Sequence, residues 1–483
     1  MMKKNSFIKT LTVNLSYAYL SQIISTLVSI CFTLIIPKVL GVEGYGYWQL
    51  IVFYATYLGM FYLGVNDGVY LKNGGKTLTE IDKPSISGIS KLFFLIHSVL
   101  AVLLVLFIPH SVDNTDRQFV LTITAIYLPI INIKGLYGHL LQAVNNTKVY
   151  SKSLIYDKIV ILFAVILGVV FQINNYRFYV VSYLVGGIVA AGYCCYEARE
   201  IIKVRGKPFG KLLPDIKDNI KVGTPLMLSS LTAIMITGIT RQIIDMRWDI
   251  KDFSKISLSL TMMNFVLVFL NQSSLVLFPA IRKIQSKSQI ELYAFVNKCL
   301  NIVLPIVFIF YVPIGSLLGM WLPNYAESVK FLGILLPICI FDGKMNLINN
   351  TYYKVLRMER NLFAINVITF AVNLIFSLIS AYVFENINFM AYGLLFSIVF
   401  RSVLSELLLN KRTNNHGDYT MFIPVSLSVI YIVFNVVLPK WHSFGAYCVV
   451  LVIMLLTMKT KLSENFKGLK SVLQQANKTV GEI

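Results

Sequence analysis

The sequence predicts an all-α polytopic membrane protein of about 14 transmembrane helices, arranged as two six-helix bundles plus a C-terminal helix pair, with N and C termini cytoplasmic. Three observations predict this. First, of 483 residues 56% are hydrophobic and 14% charged, and the mean hydropathy is +0.70. Soluble domains carry about 25% charged residues, so a soluble globular chain is excluded, and a disordered one is apolar-poor. Second, apolar runs of about 20 residues recur, the length a hydrocarbon core requires; the strands of a membrane barrel would instead alternate over about 10 residues. Third, with the N-terminus inside, roughly three quarters of the 43 Lys and Arg fall in cytoplasmic segments, as the positive-inside rule demands. The net charge of +20 is therefore an orientation signal and a contact for anionic lipids, and no nucleic-acid partner is expected.

Taken in order, residues Met1 to Thr10 with Lys3, Lys4 and Lys9 resemble a signal-peptide n-region, but no small-residue cleavage site follows, so a retained first span is expected. The apolar runs lie near 11–36, 47–70, 92–109, 119–143, 153–173, 178–198, 223–247, 254–279, 299–320, 328–350, 361–384, 389–409, 420–438 and 443–459. Pro129, Pro225, Pro305, Pro313 and Pro337 interrupt several of them, which spans tolerate where neighbours re-satisfy the freed backbone groups. The stretch 199–222 is basic and carries Gly206, Pro208 and Pro214. It reads as a cytoplasmic linker between a first bundle (1–198) and a second (223–410), with 411–483 as the helix pair and cytoplasmic tail. Trp48, Trp248, Trp321 and Trp441 fall at external span ends, where indoles anchor at the interface.

Little catalytic chemistry is visible. Gly74-Gly75-Lys76-Thr77 imitates the end of a Walker A loop, yet Tyr70 stands where its first Gly belongs and no strand precedes it. The six cysteines lie in or beside apolar runs without zinc-type spacing and read as small buried thiols. No enzyme activity, metal or cofactor is expected.

Ionisable residues inside the runs carry more information, since each costs about 2.5–3.5 kcal/mol at mid-bilayer. Asp67 and Glu406 lie near cytoplasmic ends and should reach headgroups; Lys344 is close enough to snorkel. Arg241 and Asp245 are four apart on one helix face and can pair. Lys134 and Arg401 sit mid-run, one in each half, with no acid three or four residues away. They either pair across helices, for instance with Asp245 or Asp342, or form an anion-attracting lumen.

Polar faces accompany them at helical spacing. Asn14, Tyr17 and Gln22 align with serines and threonines on the first run. Asn264, Asn271 and Gln272 align with Ser257 and Thr261 on the eighth. Asp342, Asn346, Asn349, Asn350 and Tyr353 align on the tenth. Such stripes can be interhelical glue, but Asn clusters must find several partners each. Together they predict a hydrophilic cavity between the bundles.

The stretch Pro37-Lys38-Val39-Leu40-Gly41-Val42-Glu43-Gly44-Tyr45-Gly46 resembles the P-x-x-L-G-x-x-x-Y-G signature of Wzx-type polysaccharide flippases, in the superfamily that also holds MATE exporters and lipid II flippases. Here Pro37 should end a helix, the glycines should allow a tight external turn, and Trp48 should anchor it. The resemblance implies a multi-pass protein of a bacterial plasma membrane. It would move a polyprenyl-diphosphate-linked oligosaccharide outward by alternating access, with polysaccharide assembly proteins as possible partners. Lys134, Arg401 and Arg241 would then offset the desolvated diphosphate, and the Asn and Tyr stripes would bind the sugars. Ion coupling to H+ or Na+ stays open. The alternatives are a MATE-like exporter of cationic drugs, which needs net acidic groups in the lumen, and a membrane polymerase or glycosyltransferase.

Overall fold

The computed structural model describes residues 2–282, 286–413 and 419–458, with their side chains except those of 2–25, 27, 269, 271–282, 286–288 and 419. The described residues are helical almost throughout and contain no strand. Two compact units divide the chain, Met1–Leu231 and Thr232–Ile483.

The first unit begins with α1, Met2–Ala55, interrupted at Gly41 (φ 66°). A 3-10 turn, Leu58–Tyr62, leads through left-handed Leu63 and Gly64 into α2, Val65–Asn73. Four long helices follow: α3 (Lys83–Ser111), α4 (Thr115–Ala143), α5 (Thr147–Val170) and α6 (Tyr176–Glu197). Side-chain oxygens start three of these by accepting from backbone N–H groups two or three residues on: Asp82 from Ser85, Asn114 from Arg117, and Asn175 from Arg177. These are the donors that a helix start leaves without an intrahelical acceptor. α3 turns Phe94, Leu95, Val99, Val102, Leu103 and Leu106 outward, a face suited to acyl chains rather than water. A short helix, α7 (Arg199–Ile202), precedes α8, Phe209–Arg247, whose first turns bury Leu212 and Ile216 in the core of this unit beside Val65, Phe93, Leu136 and Leu140.

α2 and α8 cross with their backbones in contact. A Cβ at Gly68 would lie 2.1 Å from the Asn219 carbonyl oxygen, and one at Gly223 would lie 1.9 Å from the Gly64 carbonyl oxygen. Small residues at four-residue spacing permit this close approach.

The second unit contains α9 (Ile250–Arg282), α10 (Ser286–Val303), α11 (Tyr311–Trp321), α12 (Ala326–Leu335) and α13 (Ile338–Lys344). Pro337 stands at the 48° bend between the α12 and α13 segments, where its missing N–H breaks the ladder. A π turn, Met345–Asn349, joins α13 to α14, Asn350–Val355. Then come α15 (Glu359–Tyr382), α16 (Ile387–Arg412), α17 (Phe422–Val437) and α18 (Lys440–Met458). Tyr293, Met345, Ile348, Tyr352, Tyr353 and Leu409 form a core at the π turn.

Among the described residues ten helices are long and apolar enough to cross a bilayer, or eleven if the bent pair is one span. The chain is a multi-pass membrane protein. Two local expectations are corrected. The helix does not end at Pro37 but runs four residues further, to Gly41, and Gly44 and Gly46 are helical. Proline removes one bond and need not stop a span; a positive φ does. Trp48 is buried, edge-on to Tyr183 with ring centroids 5.7 Å apart, so it is a core residue rather than an interface anchor. Within the expected linker 199–222, helix resumes at Phe209.

Candidate functional site

Buried charge marks a different constellation in each unit. In the first, Lys134 rises from the middle of α4, whose neighbouring Asn132 ties the helix to the 3-10 turn by donating to the Leu58 carbonyl at 3.1 Å. The Lys134 ammonium donates to Oδ2 of Asp157 on α5 at 3.0 Å. The two side chains keep 11% and 15% of their surface. Asp157 Oδ1 is buried without a hydrogen-bond partner. Close packing of α5 on α6 sits beside it: a Cβ at Gly186 would lie 2.9 Å from the Asp157 carbonyl oxygen. Lys158, the next residue, is within Coulombic reach of both Asp157 and Lys134. Lys134 alone pairs with the carboxylate, and Lys158 adds a second positive charge beside it.

Lys134 was expected to lack a helical neighbour of opposite sign, and on its own helix it does. Its partner is interhelical, and it is neither Asp245 nor Asp342. The sequence does not single out Asp157 and Lys158, because they stand near the start of the fifth apolar run, where a charge can be solvated as easily as buried. The available signal is an Asp-Lys pair followed by eighteen residues without a further charge.

In the second unit α13 and α16 exchange two ion pairs. Arg401 Nη1 donates to Asp342 Oδ1 at 3.3 Å, and its Nε donates to Asn366 Oδ1 on α15 at 2.9 Å. Lys344 donates to Glu406 and, at 2.7 Å, to Asn301 Oδ1. Asn297 and Asn301, one turn apart on α10, both donate to Glu406 Oε1. The Lys344 and Glu406 side chains keep 2% and 0% of their surface. The interface and snorkelling expectations for Glu406 and Lys344 are therefore corrected: distance along the run places both near its end, whereas the two residues face each other across packed helices. α13 offers acid then base, and α16 offers base then acid, so this pairing is neutral.

The remaining candidates scatter. Arg241 on α8 donates from Nη2 to Ser257 Oγ at 3.0 Å and lies 5.1 Å above the Phe253 ring; Asp245, one turn on, is buried. Asn264 is exposed. Asn350 donates to Asn346 Oδ1 at 3.1 Å, and Asn349 is buried against Met345 Sδ at 3.4 Å. Tyr353 donates to the Ser405 carbonyl at 3.0 Å inside the core. The stripe expected from Asp342 to Tyr353 assumed 100° per residue; the π turn between them resets that register, so its members do not share one open face. The side chains of Asn14, Tyr17, Gln22, Asn271 and Gln272 lie outside the described residues.

On the connection between α7 and α8, Lys207 bridges Asp215 (2.8 Å) and Asp82 (2.5 Å), and Ser85 donates to Asp215 at 2.6 Å. Hydrogen bonds to Asp215 and then Asp82 raise the Lys207 ammonium above its ordinary pKa of 10.5.

The two constellations differ in what they can do chemically. A sealed, fully paired cation has no valence left for a ligand. A partly accessible cation held by one carboxylate can exchange that carboxylate for another anion, the more readily with a second lysine adjacent.

Comparison with known proteins is informative at the level of family and fold. No curated protein sequence matches the chain. Among solved structures, the lipid II flippase MurJ in an inward closed conformation superposes with a TM-score of 0.66 at 14% identity, over 94% of this chain and 99% of that one. An inward-facing multidrug resistance MATE family transporter of the MOP superfamily superposes with a TM-score of 0.63 at 11% identity, over 81% of this chain and 95% of that one. At such identities the likeness shows a shared fold. The sequence profile described as "Polysaccharide biosynthesis protein" matches residues 11–285, more than half of the chain. The chain belongs to that polysaccharide biosynthesis protein family.

Proposed function

We propose that the protein is a flippase that moves a polyprenyl-diphosphate-linked oligosaccharide from the cytoplasmic to the outer leaflet of a bacterial plasma membrane by alternating access. The observation that carries the reading is the Lys134–Asp157 pair with Lys158 beside it: a buried cation held by one carboxylate, with a second, half-buried lysine adjacent, inside a membrane protein of a polysaccharide biosynthesis family. A diphosphate is the anion in such a pathway whose desolvation most needs offsetting. In this scheme it displaces Asp157 from Lys134, while the prenyl tail stays in lipid. The fold shared with a lipid II flippase supports a lipid-linked cargo. Outward movement of negative charge is favoured by an inside-negative potential at about 2.3 kcal/mol per charge per 100 mV, so hydrolysis of a nucleotide is not required energetically. Export of cationic drugs fits less well, because Asp157, Asp342 and Glu406 are each held by a cation.

Arg401 ranks below Lys134 as a contact for the diphosphate. It is held by both Asp342 and Asn366 and is the more buried of the two.

The test is direct. Vesicles containing the purified protein and a labelled polyprenyl-diphosphate oligosaccharide in one leaflet should show protein-dependent appearance of label in the other. Label that never leaves its leaflet, from protein that is folded and inserted, sinks the proposal.

A further inference from the structure

We propose that Glu406, Asn297 and Asn301 form a monovalent-cation site that the chain fills with its own Lys344. The argument starts from what surrounds the ammonium. Lys344 donates to a Glu406 carboxylate oxygen and to Asn301 Oδ1. Asn297, one turn before Asn301 on the same helix, is fully buried, and its Oδ1 has no hydrogen-bond partner. A carboxylate and an amide carbonyl are oxygen donors that suit a small hard cation as well as they suit an ammonium, which carries three donors and no acceptor. The carboxylate is oriented from its far side, since Asn297 and Asn301 both donate to Oε1. Asn301 is held in turn at 3.1 Å from the Thr420 hydroxyl. The cage is thus built around Glu406 rather than around the lysine.

The backbone at Lys344 is also irregular. The π turn Met345–Asn349 begins at the next residue, and such turns occur frequently at functional sites because they shift one helical register against the next. A structural ion pair needs no such turn and no amide cage.

The consequence concerns energy coupling. With a tethered cation in place, the second unit requires neither Na+ nor K+ at this position, whatever cargo the protein carries. The inference does not depend on the proposed function, and its test reads binding rather than transport.

Removing the lysine should expose the site to salt. Full-length Lys344→Ala, purified in detergent, should unfold about 5 °C higher in saturating NaCl or KCl than in choline chloride of equal ionic strength, the shift expected when a cation binds only the folded form. Wild type should show no such difference. The double variant Lys344→Ala with Glu406→Gln, which removes the negative charge too, should be insensitive to the choice of cation. Equal unfolding of Lys344→Ala in all three salts overturns the proposal. So does a cation-specific shift of the same size in wild type. Failure of Lys344→Ala to fold in any salt overturns it as well, because no free cation then replaces the ammonium.

Discussion

The Lys134 cluster of the first unit and the α13–α16 pairs of the second solve the same problem in opposite ways. Both place ionised side chains where a bilayer core makes charge costly. In the second unit each cation has its own carboxylate, amides from Asn297, Asn301 and Asn366 add further hydrogen bonds to these ions, and the inner pair is sealed. In the first unit Asp157 pairs with Lys134, leaves one oxygen without a partner, and has a second lysine, Lys158, beside it. Balanced and sealed charge holds helices in one arrangement. Unbalanced and partly open charge stores an affinity for an anion. The comparison teaches that burial alone does not nominate a binding residue; the count of partners around it does.

The strongest way to break this comparison is to unbalance the second unit. Glu406→Ala strands the buried Lys344 ammonium, and breaking a buried pair from one side costs about 3–5 kcal/mol. Folded yield and midpoint of denaturation should fall sharply. Replacing both partners with apolar residues, Lys344→Met with Glu406→Leu, should recover most of the loss, since a buried pair exchanged for apolar packing is often neutral. If the single variant is as stable as wild type, the pair is not a structural clamp.

Backbone proximity offers a second way. At Gly68 the Asn219 carbonyl leaves no room for a methyl group, and neither backbone can yield like a flexible side chain. Gly68→Ala should destabilise the first unit by about 1–3 kcal/mol, the usual cost of overpacking. Gly192, with nothing near its missing Cβ, is the control: Gly192→Ala should be near neutral. The pair of variants separates the close crossing from the general effect of losing a glycine.

The first unit should respond in the other currency, transport rather than stability. Lys134→Ala should lower the initial rate of lipid-linked oligosaccharide movement by roughly tenfold or more, about 1.4 kcal/mol of lost interaction at minimum, while Lys134→Arg retains most of it. Arg401→Ala should instead lower stability more than Lys134→Ala does, because two partners are stranded. The reverse pattern would exchange the roles assigned to the two cations.

How much of this was legible beforehand depends on what each feature is made of. Apolar runs and the cytoplasmic excess of Lys and Arg are local in sequence, and the multi-pass fold follows from them. Asp342 could be named as a partner for Arg401 because only a few intramembrane acids compete for the role. Asp157 was hidden by position: a residue near the start of an apolar run is buried or solvated according to how its helix packs, which sequence distance does not encode. Lys344 and Glu406 were misplaced for the same reason. The face shared by Asp342 and the asparagines after it failed because periodicity presumes α geometry, and a π turn is set by packing around Tyr293, Met345 and Tyr352 rather than by a local motif. At Gly41 the motif did reveal the break, though not that Pro37 would stay helical.

The smallest expected effect lies outside the membrane and sharpens the contrast with buried charge. Lys207 sits between Asp215 and Asp82 with 28% of its side chain exposed, so water screens what the two carboxylates contribute. Lys207→Met should therefore lower stability by less than about 1 kcal/mol. The sign of its pH dependence follows from the raised pKa of the ammonium. A cation whose pKa is higher folded than unfolded contributes fully below its unfolded value, near 10.5, and loses that contribution as pH climbs through the folded value. The stability difference between wild type and Lys207→Met should hence be flat through neutral pH and shrink only in the alkaline range above 10.5. Unfolding midpoints measured for both proteins across that range decide it. A difference that vanishes near neutrality would mean that Asp215 and Asp82 do not raise the pKa of the lysine, and that the connection between α7 and α8 is held by the apolar contacts of Leu212 and Ile216 alone.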